Sequence, residues 1–146
     1  MAAARRGPFA IGLMSGTSAD GITAALVRME TRAKRARPVL ERMLSLPFPR
    51  ELREQILSVA GGARVGAAEL SRLDARLGDL FADAAVRVAA RHRLPLGQIA
   101  VIGSHGQTVF HDPHGRPATT LQIGDPSRIA ERTGVTVVAD FRRRDL

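Results

Sequence analysis

Leu70, Leu73, Leu77, Leu80, Phe81, Ala84 and Val88 recur at intervals of three and four between Val65 and Arg93. Residues so spaced are neighbours on a helical surface, so the stretch predicts one long helix with a continuous apolar stripe. Such a stripe has to be covered by a second layer. The flanking segments look like strands. Phe9 to Met14 is apolar, Ser15-Gly16-Thr17-Ser18-Ala19-Asp20-Gly21 supplies turn chemistry, and Ile22 to Met29 is apolar again at strand length. Val39 to Leu46 predicts a third strand, ended by Pro47 and Pro49.

Arg50 to Ala60 predicts a short helix, with Leu52, Ile56, Leu57 and Val59 at mostly helical spacing and Gly61-Gly62 as its stop. After the long helix, Leu94-Pro95-Leu96-Gly97 is a break and Gln98 to Ile102 reads as a short buried strand. It leads into a loop, Gly103 to Thr108, and then a loop or hairpin tip from His111 to Thr119. Leu121 to Ile123 predicts a strand. Asp125 is placed to cap a helix with Pro126 at its first position, running to about Arg132 and stopping at Gly134. Val135 to Ala139 predicts the last strand. Three strands, helices, strand, helix, strand is the order of an α/β layer with an antiparallel start and parallel additions. Residues 1–8 are expected to be a disordered N-terminus and residues 9–146 one lobe.

Composition narrows the function classes. At 45% hydrophobic and 25% charged residues the 146-residue chain is ordinary globular material. No apolar run approaches the ~20 residues a membrane helix needs, so neither a membrane partner nor export from the cytoplasm is expected. Cysteine is absent, which removes disulfides, thiolate metal sites and a thiol nucleophile. The net charge of +8 invites a nucleic-acid partner. The excess is local, however: residues 1–50 hold 9 basic against 3 acidic side chains, and the remainder 13 against 11. Much of it falls at Arg28, Arg32, Lys34, Arg35 and Arg37, where a connecting loop is expected. With 3% aromatic residues there is almost no platform for stacked bases, so no nucleic-acid role is expected.

Three places could carry chemistry. In the turn from Ser15 to Gly21, glycines admit close backbone approach, and hydroxyls with a row of amides suit anionic oxygens. Asp20 would repel a bare phosphate, so phosphate there calls for Mg²⁺ between them, through water. The same residues also fit a tight hairpin in which Asp20 and Ser18 satisfy turn amides, and the pattern alone favours that reading. The turn lacks the lysine of a Walker loop. Gly103 to Thr108 follows a buried strand, where ligands of α/β proteins collect, which places His105, Gln107 and Thr108 to bond a polar substrate. His105, His111 and His114 have no recognised metal-ligand spacing. Arg142, Arg143 and Arg144 follow the last strand, where they fit a phosphate or carboxylate, or a solvated end.

Four blocks taken together are more specific than any one motif. They are Ile11-Gly12-Leu13-Met14-Ser15-Gly16-Thr17-Ser18-Ala19-Asp20-Gly21, Ile102-Gly103-Ser104-His105-Gly106-Gln107-Thr108-Val109, Thr120-Leu121-Gln122-Ile123-Gly124-Asp125-Pro126, and Gly134 to Asp145. In order and spacing, residues 9–146 resemble the N-terminal part of the anhydro-N-acetylmuramic acid kinase family. The resemblance implies a ribonuclease-H-like lobe of the fold shared by actin, hexokinase and the heat-shock ATPases, one of two that enclose ATP. It implies an ATP- and Mg²⁺-dependent cytoplasmic enzyme of cell-wall recycling, which opens 1,6-anhydro-N-acetylmuramic acid with water and phosphorylates O6. It leaves room for a homodimer of the complete protein.

Carried across, Gly16, Thr17, Ser18, Asp20 and Gly21 match the family's ATP-phosphate loop, which turns the balance toward the anion cradle, with Asp20 reaching Mg²⁺. His105, Gln107, Thr108, Gln122, Asp125, Asp140 and Arg142 fall in blocks that face the sugar. Thr23 stands where the family commonly has an acidic residue. The family's general base, the aspartate of a later Asp-Thr-Gly-Pro-Gly-Asn segment, has no counterpart before Leu146, so the chain is expected to be a truncated, inactive lobe. A non-enzymatic single-lobe nucleotide-binding or interaction module is the rival expectation.

Overall fold

The computed structural model describes residues 5–32 and 35–146. Strands β1 (Arg5–Ser15), β2 (Gly21–Arg32) and β3 (Arg35–Pro47) form an antiparallel meander, followed by helices α1 (Arg50–Ala60) and α2 (Ala67–Arg91). Strands β4 (Ile99–Asp112) and β5 (Thr119–Ile123), helix α3 (Pro126–Thr133) and strand β6 (Val137–Ala139) complete the chain before a short 3₁₀ turn at Phe141–Asp145. The sheet order is β3-β2-β1-β4-β5, and β6 also pairs with β4. β4 runs parallel to β1 and β6, antiparallel to β5. Among the described residues no helix is long and apolar enough to cross a membrane.

Alternation along the strands selects the covered face. Ile11 and Leu13 of β1 and Ile22, Ala24 and Leu26 of β2 are buried, while Gly12 and Met14 between them face out. Against that face lies the stripe of α2, with Leu73, Leu77, Phe81, Ala84 and Val88 buried and joined by Ala82, Ala85 and Ala89. Small residues at those three positions let the helix lie close to the sheet. α1 contributes Leu52 and Ile56 to the same core. Phe81 is fully buried, and truncating such a side chain to alanine typically costs about 3–5 kcal/mol.

The structure differs from the sequence reading in three places. β1 begins at Arg5, so part of the stretch expected to be disordered is strand; residues 1–4 lie outside those described. The basic cluster expected in a loop belongs mostly to paired strands, with Arg28 in β2 and Arg37 in β3. Arg28 is matched there by Glu41 and lies over the Phe9 ring at 5.9 Å, while Lys34 is outside the described residues. Third, the loop expected at Gly103–Thr108 is strand. β4 continues to Asp112 because β1 borders one edge while β6 and then β5 border the other, which gives its backbone groups partners that local composition does not reveal.

β4 is not regular. Between the pairs Leu13↔Ser104 and Ser15↔Gln107 it carries one residue more than β1, and Gly106 there has φ +70°. Such a bulge re-aims the side chains around it. It falls where the second edge of β4 passes from β6, paired with Ile102 to Ser104, to β5, paired from Gln107 onward. The two strands part at that point and leave a crevice.

Candidate functional site

Two recesses among the described residues adjoin neighbours of Gln107: Gly16, whose carbonyl accepts from it, lines one, and Gly106, next to it in sequence, lines the other. The first lies at the turn between β1 and β2. The amide of Ala19 closes the turn on the Gly16 carbonyl at 3.1 Å, and Ala19 takes the left-handed conformation with φ 51°. This leaves Gly16, Thr17, Ser18 and Asp20 exposed while Ala19 is buried beneath them. Gly16, Ser18, Asp20, Gly21 and Thr23 line a recess of about 350 Å³ with Ser45, Leu46 and Pro47 of β3. A Cβ on Gly16 would meet only Ser18 Oγ, at 3.8 Å, so its backbone is open to a ligand. Gly21 is required for another reason: a Cβ there would strike the Leu46 carbonyl, so its missing side chain admits β3.

The Asp20 side chain keeps 72% of its exposure and accepts from Arg53 Nε at 3.2 Å. A hydrogen bond from Ser18 and the adjacent Arg53 guanidinium, against a small opposing effect of burial, hold its carboxyl below the ordinary value of 3.8. It is therefore an ionised group pointing outward at the mouth of an amide-rich turn. Thr23, in place of an acid, sits 3.4 Å from Ser45 by their hydroxyls.

The second recess, of about 260 Å³, is the crevice between β5 and β6. Asp74 of α2, Ser104, His105 and Gly106 of the bulge, Gln122 to Gly124, Pro126, Ala139, Asp140 and Arg143 line it. His105 is half-buried; its Nδ1 lies 3.2 Å from the Gly106 carbonyl and its Nε2 3.4 Å from Arg142 Nη1. With arginine able only to donate, Nδ1 must carry the imidazole proton for both contacts to form. Thr108 Oγ1 accepts from Gln122 Nε2 at 3.2 Å, and Thr120 Oγ1 accepts from the same nitrogen at 2.7 Å. Asp140 has φ 59° and holds Arg143 at 3.0 Å.

Three buried polar atoms near this crevice have no partner among the described residues: Ser104 Oγ, Gln122 Oε1 and Arg142 Nε. Buried polar atoms are normally bonded, so their grouping beside one recess makes it the candidate place for a polar guest. Ser104, 2% exposed, and Asp74 were not among the site residues read from the sequence. Ser104 belongs to the Ile102–Val109 block, whose spelling is the signal that points to it. Asp74 sits mid-helix with no local signal, and only the fold brings its Oδ1 within 2.6 Å of the Gly124 amide.

Two residues expected at the sugar face inward or sideways. Gln107 is 1% exposed, and its amide is bonded to Ser15, Gly16 and Thr108. Asp125 caps α3, accepting from the Ser127 amide at 2.8 Å, as its position before Pro126 predicts. His105, Gln122 and Asp140 line the crevice; Thr108 and Arg142 touch residues that do.

An antiparallel three-stranded start extended by parallel strands, with helices on it and a glycine-bearing turn between the first two strands, is the ribonuclease-H-like lobe of the actin, hexokinase and heat-shock ATPase fold. The family model described as anhydro-N-acetylmuramic acid kinase matches residues 8–146, and the chain belongs to that family. It is 51% identical over 140 residues to the anhydro-N-acetylmuramic acid kinase of Xanthomonas campestris pv. campestris, covering 95% of this chain and 37% of the relative. To the protein of the same name from Vibrio vulnificus it is 45% identical over 136 residues, covering 93% of this chain and 36% of the relative. The chain thus spans a little over a third of the length of the curated relatives it matches.

Proposed function

We propose that these residues form the phosphate-binding turn and one wall of the sugar cleft of an ATP-dependent cytoplasmic kinase of cell-wall amino-sugar recycling. The reaction joins 1,6-anhydro-N-acetylmuramic acid, water and ATP to give N-acetylmuramic acid 6-phosphate and ADP. The observation that carries this reading is the exposed turn Gly16–Asp20, which opens into a recess with an ionised carboxylate at its rim. A carboxylate beside amides that suit phosphate fits a bridging cation better than a bare anion. Asp20 would hold Mg²⁺ through water, and that ion would supply neutralisation of charge between the phosphates.

Gly16, Thr17 and Ser18 offer amides and hydroxyls to the nucleotide phosphates, with Gly21 setting the turn against β3. His105, Thr108, Gln122, Asp140 and Arg142 hold the sugar, Ser104 adds a hydroxyl, and Gln107 and Asp125 act from behind as supports. Phosphoryl transfer depends chiefly on holding the reactants in line, which one lobe does not achieve by itself. The 146-residue chain is therefore expected not to turn over sugar unaided.

The test is an assay of a protein of the relatives' length that carries these residues, run in heavy-oxygen water. Label in the C1 hydroxyl and phosphate on O6 are the expected result. Phosphate transfer without water incorporation, or no ATP-dependent product, would overturn the reading. Tight ATP·Mg²⁺ binding by the 146 residues alone would favour a self-sufficient nucleotide-binding module.

A further inference from the structure

The geometry points to Gln107 as a positioning residue that sets the direction of the Thr17 amide, and so the grip of the turn on a nucleotide phosphate; this rests on the functional reading above. The direction of the Gln107 amide is fixed by chemistry. Its Nε2 lies 3.2 Å from the Gly16 carbonyl and 3.1 Å from the Thr108 carbonyl, and its Oε1 lies 2.6 Å from Ser15 Oγ. Carbonyls only accept, so the nitrogen must face them, and the oxygen is left to accept the Ser15 hydroxyl proton.

The Gly16 carbonyl therefore receives two donors, Gln107 Nε2 and the Ala19 amide at 3.1 Å. In a planar trans peptide the C=O of one residue and the N–H of the next point in opposite directions. Pinning the Gly16 oxygen toward Gln107 turns the Thr17 N–H the opposite way, at an exposed tip whose neighbours Gly16 and Ser18 line the recess. At 1% exposure Gln107 has no surface from which to touch a ligand itself. The β4 bulge makes this arrangement, because its extra residue puts Gln107 opposite Ser15. A nucleotide phosphate is the ligand class that an outward amide in this turn would take.

The experiment uses a protein of the relatives' length, with nucleotide affinity measured by calorimetry in ATP and Mg²⁺, the sugar KM by assay, and folding by thermal melting. For Gln107→Met, which keeps length and loses both donors, the expected result is a rise in nucleotide Kd of about tenfold with the sugar KM changed less than about twofold. Ser15→Ala removes only the outer tie, and a rise of about threefold is expected. The double variant should add little to Gln107→Met, because both act through one amide. If Gln107→Met does not fold, Ser15→Ala alone decides.

A sugar KM that rises as much as the nucleotide Kd would make Gln107 a substrate contact and overturn the inference. So would a lowered melting temperature with nucleotide affinity unchanged, which would leave it a structural residue only. Wild-type protein that binds no nucleotide would overturn the functional reading and this inference with it. Wild-type binding that both variants retain would overturn this inference alone.

Discussion

Arg53 Nε, on the first helix after the sheet meander, donates to Asp20 Oδ1 at 3.2 Å across the mouth of the β1–β2 turn. Both side chains are well exposed, at 43% and 72%, so water screens the pair and it does little to hold the fold. Its effect is local. The guanidinium is a resident cation beside the one carboxylate of the turn, and after the Ser18 hydrogen bond it helps hold that carboxyl below its ordinary value.

Asp20→Asn removes the charge and keeps the shape. The expected outcome in the longer protein is a fall in kcat of at least about tenfold with sugar KM little changed, because the proposed Mg²⁺ contact acts most as charge shifts between phosphates. Steady-state kinetics with each substrate varied in turn provides the check. Arg53→Ala should lower the Mg²⁺ concentration needed for half-maximal rate, since a competing cation leaves Asp20.

Ser104→Ala tests the crevice. Its hydroxyl has no partner among the described residues, so deleting it breaks no bond there, and the melting temperature should stay level or rise slightly. Sugar KM should rise by about threefold to tenfold if the hydroxyl bonds the substrate. His105→Ala should likewise weaken sugar binding with folding retained.

Gly124→Ala should damage both the fold and the crevice. This residue has φ +123°, and a Cβ would come within 2.8 Å of the fully buried Phe81 ring. Backbone strain and overpacking together are expected to cost about 2–5 kcal/mol, read by denaturant unfolding.

Asp79 on α2 is held by Arg128 of α3 through Nε at 2.8 Å and Nη2 at 3.0 Å. That hydrogen-bonded pair, helped by the charges of Arg128 and Arg132 against slight burial, lowers the Asp79 carboxyl below 3.8. A depressed carboxylate stabilises the fold above its unfolded value and loses that effect as pH falls through its folded value. Asp79→Asn should therefore cost up to about 1 kcal/mol near neutral pH, given side chains 44% and 43% exposed. The difference from wild type should stay constant above about pH 5 and vanish in stronger acid, measured by urea unfolding at several pH values.

The legible parts of this chain are those set by neighbours in sequence. The three-and-four spacing from Leu70 to Val88 gave the long helix, because its buried face is determined by residues one turn apart. Asp125-Pro126 with Gly134 bounded α3 for the same reason: caps and a left-handed stop are local chemistry. The turn beginning at Ser15 could be picked out as a candidate anion site from its glycines, hydroxyls and carboxylate.

What the tertiary structure decided depends on partners far along the chain. Gly103 to Thr108 looks like a loop by composition and is strand, since β1, β5 and β6 supply hydrogen bonds that no local pattern announces. The bulge then turns Gln107, polar and in a candidate substrate block, into the core, 92 residues from the serine it binds. Asp74 reaches the crevice only because α2 packs beside the start of α3. Sequence determined the long helix, the caps of α3 and a candidate anion turn, because these rest on residues within a turn of one another; packing between distant segments determined which polar side chains reach the recesses and which lie buried behind them.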